Sequence, residues 1–184
     1  MKIISRQAFP ITVTYNAQWT VEWPEMVRSA KIDVGNQDHI DPLINQTHFP
    51  IEGKPGAWSR TFEVIHFEGV DGEPLDLGGR VAFFSEIEEG LQSIGLRHAD
   101  LEELLSFSAV CPDLASVLAR GHITDGSRWL VAMGSPHYVF PQSGVIGLPM
   151  LRQLQRGERG LSLSGRGSGS LRDDDHAIAA VRAT

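Results

Sequence analysis

Three histidines and their neighbouring carboxylates are the residues best equipped for chemistry in this chain. His39, His48 and His66, with Asp38 and Asp41, offer imidazole and carboxylate ligands of the kind that hold Zn²⁺ or Fe²⁺. Such a site would support metal-dependent hydrolysis. Against it, no pair has the i, i+4 spacing that puts two ligands on one helix face, and most of the span reads as loop. The plainer reading is a set of solvated loop side chains. Asp173, Asp174 and Asp175, followed by His176, form a second candidate, since adjacent carboxylates attract Mg²⁺ or Ca²⁺. Consecutive residues on a strand point to opposite faces, and the loop lacks an EF-hand glycine and closing glutamate. A solvated charge run fits these residues better.

Gly165, Gly167 and Gly169 invite a phosphate-loop reading, but the residues that follow, LRDDD, would repel phosphate, and no GK[ST] is present. Cys111 precedes Pro112 at a helix end with no histidine placed beside it, so a buried structural thiol is expected. Glu86, Glu89, Glu102 and Glu103 could supply paired carboxylates for general acid–base work. Their helical spacing reads instead as solvated faces and caps. For binding, Arg128, Trp129, His137 and Tyr138 bracket a strand and its turn, with Arg166 and Arg172 in the glycine-rich segment. Arg, Trp and Tyr are the residues that anchor interfaces. The competing reading makes Trp129 core and the arginines ordinary surface.

The elements that must position these groups follow from periodicity. Residues 11–15 and 60–68 alternate as strands, and the second is apolar on both faces, which places it inside a sheet. A short helix is expected over 20–31, with Thr20 as its cap and Pro24 in its first turn. Residues 33–56 show no sustained period and read as a long loop, which is unusual unless ordered by contacts or functional. Apolar residues step by three and four from Val81 to Ile94, which makes 79–94 an amphipathic helix stopped by Gly95. The stretch 96–134 is the best organised. Asp100 and Glu103 have capping-box spacing, and Leu101, Leu104, Leu105 and Ser108 form one helix face. Pro112 ends that helix, Asp113 caps another over 114–120, and Trp129–Met133 is a buried strand. A further strand is expected at 137–140, a helical turn or two at 149–156, a strand about Leu161 and Leu163, a flexible link at 164–170 and a last strand at 176–182.

These elements predict one α+β domain over 1–184, a mixed or antiparallel sheet with two or three helices packed on it. A length of 184 residues and 41% hydrophobic content suit a chain that buries its own core. The net charge of −7 argues against a general binder of phosphate backbones, which gains its affinity from Lys and Arg. A single cysteine excludes an internal disulfide and points to a reducing compartment. The first residues contain no apolar run of signal-peptide length, and no stretch approaches the roughly 18 apolar residues of a membrane span, so the cytoplasm is the simplest location.

The order VIHFE, GLRHADLEELLSF, CPDL, WLVAMGS, RGLSL and IAAVR, spanning roughly residues 48–182 with the HFP before it, resembles a group of uncharacterised bacterial and phage-like proteins. That group carries an LRPATLEELL helix, a PIVALGS strand, an R-x-L-x-L strand and a closing RFLAVR. This chain departs from it at His98, where the pattern has Pro, and at GRGSGSLRDDD, where it has a Trp-containing turn. The resemblance implies no activity or cofactor. A fainter similarity of layout runs to C-type-lectin-like domains, the alternative fold. The functional expectation is a non-catalytic binding domain for a protein or small molecule, with no cofactor. The alternative is a small metal-dependent hydrolase built on the loop His and Asp residues.

Overall fold

The computed structural model describes residues 2–15, 19–32, 39–45, 47–50, 56–68, 81–118, 129–135, 138–139, 146–154, 158–163 and 176–182. In chain order the elements are β1 (Lys2–Tyr15), α1 (Trp19–Ser29), β2 (Gly56–Glu68), α2 (Val81–Ser93), β3 (Leu96–His98), α3 (Leu101–Val110), α4 (Leu114–Leu118), β4 (Trp129–Ala132), β5 (Tyr138–Val139), β6 (Ile146–Gly147), β7 (Pro149–Gln153), β8 (Arg159–Leu163) and β9 (His176–Arg182). Seven strands form one mixed sheet in the order β1-β2-β9-β4-β7-β8, with β3 pairing β9 beyond the end of β4, and β5 and β6 form a separate hairpin. The chain is α+β, and none of its described helices is long and apolar enough to cross a membrane.

Strand alternation divides the core between the two sheet faces. Phe62, Val64, Leu130, Ala132, Ala177, Ala179 and Val181 face one cluster with α1, α3 and α4. Their neighbours Ile65, Val131, Ile178 and Ala180 face the other, against Ile87 and Leu91 of α2. A strand apolar on both faces must be covered on both, and β2, flanked in the sheet by β1 and β9, is: Phe62 and Val64 face one core and Ile65 the other. Four described helices flank the sheet, α1, α3 and α4 on one face and α2 on the other.

β1 is longer than its alternating core, 11–15, suggested. Phe9, Ile11 and Val13 point inward while Arg6, Ala8, Pro10, Thr12 and Thr14 are exposed. Pro10 fits because β1 is an edge strand, where a missing N–H need not face a neighbour. The opposite edge is covered: Ile32 and Ile40 bridge to Arg159 and Leu161 of β8. The irregular 33–56 region therefore contributes to the sheet rather than standing apart from it.

Three local expectations are corrected. Residues 149–153 are a strand, not a helical turn; Pro149 sits at its first position, which proline tolerates, and Met150 and Leu151 alternate between the two cores. Helix α1 begins at Trp19, so Thr20 lies inside it and Pro24 beyond its first turn. The stretch from Leu96, which reads in sequence as opening with a helix, begins instead as the short strand β3 before α3. Gly95 between α2 and β3 has φ +73, the left-handed stop read from the sequence. Gly134 answers a different need: a Cβ there would lie 2.7 Å from the His98 carbonyl oxygen.

Candidate functional site

The histidines do not form one centre. His39 is buried with Nε2 3.8 Å from the Glu158 carboxylate. His48 Nδ1 lies 3.0 Å from the Leu43 carbonyl in a local turn. His66, on β2, has Nδ1 2.7 Å from Ser5 Oγ on β1. Asp41 is occupied locally, accepting the Leu43 N–H at 3.0 Å. Among the described residues no group of three or more His, Cys, Asp or Glu could hold a metal ion. The expected ligands His39, His48 and His66 are not brought together among the described residues: His48 and His66 have separate hydrogen bonds, and His39 faces Glu158. Asp38 and the 173–175 run lie outside the described residues.

The anchor patch fares similarly. Trp129 is half-buried on β4 with the Arg152 guanidinium 5.5 Å over its ring, packed beside the α2-side core. Tyr138 belongs to the β5–β6 hairpin. Arg128, His137, Arg166 and Arg172 lie outside the described residues, as does the 164–170 segment. Cys111 is buried, and burial pushes its thiol above the ordinary value, with Arg159 opposing the shift.

What the fold does assemble is a charged frame around α3. Asp100 Oδ1 accepts the Glu103 N–H at 2.8 Å and Glu103 Oε2 accepts the Asp100 N–H at 3.0 Å, a complete capping box. The next free N–H, of Leu101, donates to Ser135 Oγ at 2.6 Å. Glu103 is more than a cap. Its fully buried carboxylate takes two bonds from Arg97, at 2.7 and 2.9 Å, and Arg60 Nε stands 3.9 Å away. Glu102 is also buried, and its carboxyl is pushed up to about 8, chiefly by burial and then by the Asp100 charge. By sequence these glutamates read as solvated faces and caps, with Glu103 the partner of Asp100 in the capping box. The capping spacing was visible in the sequence, but the arginines come from β2 and β3, and only folding brings them there.

The other end of α3 is held by Arg159. Its Nη1 donates to the Ser108 carbonyl and to Ser108 Oγ, and its Nη2 to the Cys111 carbonyl at 2.7 Å. Lys31 Nζ reaches the same Cys111 carbonyl at 3.3 Å, and Ser108 Oγ donates to the Ala30 carbonyl at 2.6 Å. A cation satisfying the last carbonyls of a helix also suits its negative end. Arg159→Met keeps the apolar stem and strands these acceptors. The expected loss is about 2–3 kcal/mol in urea unfolding, the range for hydrogen bonds to a charged group. An unchanged midpoint would show that water replaces the guanidinium there.

Against this frame lies a cleft of about 680 Å³ between the β1 edge, α1 and α3. Pro10, Ile11, Thr12 and Thr14 line one side; Glu25, Met26 and Ser29 of α1 and Leu105, Ser106, Ala109 and Val110 of α3 line the other, with Ser59 and Arg60 of β2. Phe107, stacked 4.4 Å from Phe62 and edge-on to Phe9 at 5.1 Å, fixes α3 over β1 and β2 and so sets the cleft's width. Val110, in the lining, is 53% exposed, and Trp58 at the neighbouring strand end is 39% exposed. Arg60 lies over the Trp58 ring at 5.5 Å. Spacing placed several lining residues on strands and helices but named none of them as a site residue, because hydroxyls and apolar residues carry no motif. Alternating exposed threonines on an edge strand were the available signal.

Compared with family models, curated proteins and solved structures, the chain matches none of them, so its function is argued from this cleft and frame.

Proposed function

We propose that the protein is a binding domain whose ligand occupies the cleft between the β1 edge, α1 and α3. The observation that carries this reading is the cleft itself. Its volume of about 680 Å³ falls within the roughly 300–1,000 Å³ of ligand pockets. Its lining is of the ligand-pocket kind: apolar Ile11, Met26, Leu105, Ala109 and Val110, interrupted by hydroxyls, one arginine and one glutamate. The frame supports the reading, because Glu103 and Arg159 pin both ends of α3 and leave its cleft-facing residues on a rigid element. Hydrolysis through the loop histidines has no comparable support, since His39, His48 and His66 have separate partners.

The test is a fragment set screened by thermal shift against the wild type and Ala109→Trp, which fills the cleft from α3. Fragments that raise the melting temperature of the wild type are expected to lose at least about tenfold in affinity with the variant. Because Ala109 is only half-buried, the variant alone should change stability by under about 1 kcal/mol. Fragment binding indifferent to the substitution would place the ligand elsewhere. Turnover of a bound compound would replace binding with catalysis.

A further inference from the structure

Two observations narrow what the cleft takes, on the reading that it is the ligand site. The first is the open edge of β1. Among the described residues nothing pairs with its outer side, although β8 at the other edge is covered. Pro10 reveals which way the backbone groups face. In an antiparallel ladder, residues alternate between sharing bonds with the neighbour and pointing away from it. Pro10, opposite Thr61, has no N–H to give, so its parity is the outward one. The register runs without a shift from Ser5 to Tyr15, so Thr12 and Thr14 share that parity and turn their N–H and C=O groups outward. All three residues line the cleft.

The second observation is Arg60. Its Nε is buried without a hydrogen-bond partner among the described residues, and its Nη1 reaches only the Ser59 carbonyl, at 3.3 Å. Glu103, 3.9 Å away, is already taken by Arg97 in a two-pronged pair. Arg60 therefore carries donor capacity that the fold does not use, in the wall of the cleft and stacked on Trp58. A guanidinium so placed suits a carboxylate.

We propose that the cleft binds an extended peptide, added as a strand to the outer edge of β1 at Thr12 and Thr14, with one of its carboxylates paired to Arg60. Main-chain bonds supply affinity in this mode and side-chain pockets supply selectivity. The apolar floor of Ile11, Met26 and Leu105 takes every second side chain of the added strand, as the period of two requires. Glu25, exposed in the same cleft, disfavours a second acidic group beside it.

The probe is a display library of random nonapeptides selected on the intact chain. Selected peptides are then measured by fluorescence anisotropy as acid, Asp→Asn and C-terminally amidated forms, which separate a side-chain carboxylate from a terminal one. Three variants read the contacts. Thr12→Pro removes one outward N–H and leaves the β1–β2 ladder intact. Arg60→Gln removes the charge, and Arg60→Lys keeps it without the fork. Expected results are acidic selected peptides, roughly tenfold weaker binding with Thr12→Pro and with Arg60→Gln, and a smaller loss with Arg60→Lys. Circular dichroism should show Thr12→Pro folded; an unfolded variant would mean the outward parity is wrong and overturn the proposal. So would selected peptides that bind both variants as they bind the wild type. A dimer in sedimentation that Thr12→Pro dissociates would assign the edge to a second copy of this chain. If the library yields nothing while fragments still bind in a manner sensitive to Ala109→Trp, the peptide fails and the cleft remains the site.

Discussion

Glu103→Ala should lower the unfolding free energy by about 3 kcal/mol, among the largest single losses expected in this protein. The carboxylate has no solvent exposure and serves three partners: the Asp100 N–H, the Arg97 fork and the more distant Arg60. Removing one member of a buried pair costs about 3–5 kcal/mol, because the other charge is left without compensation. The lower end applies here, since the Arg97 side chain is 40% exposed and can turn to water. For a chain of this length the loss corresponds to a fall in melting temperature on the order of 6–12 °C. Glu103→Gln divides the effect. The amide oxygen can still accept the Asp100 N–H, so it should retain the capping contribution of about 1 kcal/mol and lose the ion pair. Urea unfolding of the two variants measures both. A loss under about 1 kcal/mol for Glu103→Ala would mean that Arg97 and Asp100 find water at no cost, and that the frame does not hold α3 through this carboxylate.

The residue next to it should respond in the opposite sense. Glu102→Gln is expected to stabilise the protein at neutral pH, by on the order of 3 kcal/mol. Burial and the Asp100 charge raise its folded value to about 8, from an ordinary 4.5. Between those two values the folded chain holds a proton that the unfolded chain releases. Stability from this group is therefore full below about 4.5, and it falls as pH rises towards about 8. The amide cannot ionise in either state, so the slope disappears. Burial also lowers His98 below its ordinary 6.5, which adds stability as pH rises through the same window. Asp113, held low by Ser116, acts only below its ordinary 3.8. Both are common to wild type and variant, so the difference between their curves from pH 5 to pH 8 reads Glu102 together with the Asp100 carboxylate beside it. A difference that does not widen as pH rises would show that Glu102 ionises normally.

Local signals accounted for much of the fold. The two-faced alternation of 60–68 placed β2 inside the sheet, Asp100 and Glu103 announced the capping box, and Gly95 announced the end of α2. Each depends on residues within a few positions of one another, where backbone geometry decides the outcome. The misreadings have the same origin. Pro149 can open a helix or a strand, and only the ladder, in which Pro149, Met150 and Leu151 partner Leu163, Ser162 and Leu161, chooses the strand. Glu102 occupies spacing that suits a solvated helix face, and the capping role read for Glu103 does not by itself bury its carboxylate. Both are buried because the N-terminus of α3 is packed between β3, the β2 arginine and Ser135.

Composition, the periodic segments, the caps and the glycine stops determined that this chain is an α+β protein with α3 as a scaffold helix. That follows because hydrophobic period and capping act over one or two turns of chain. The tertiary structure alone decided that the histidines stand apart, that Arg97 pairs with Glu103 while Arg60 stands 3.9 Å from it, and that, among the described residues, nothing pairs with the outer side of β1 beside the cleft. Those relations join residues dozens of positions apart, and burial and strand order, which no spacing encodes, set them.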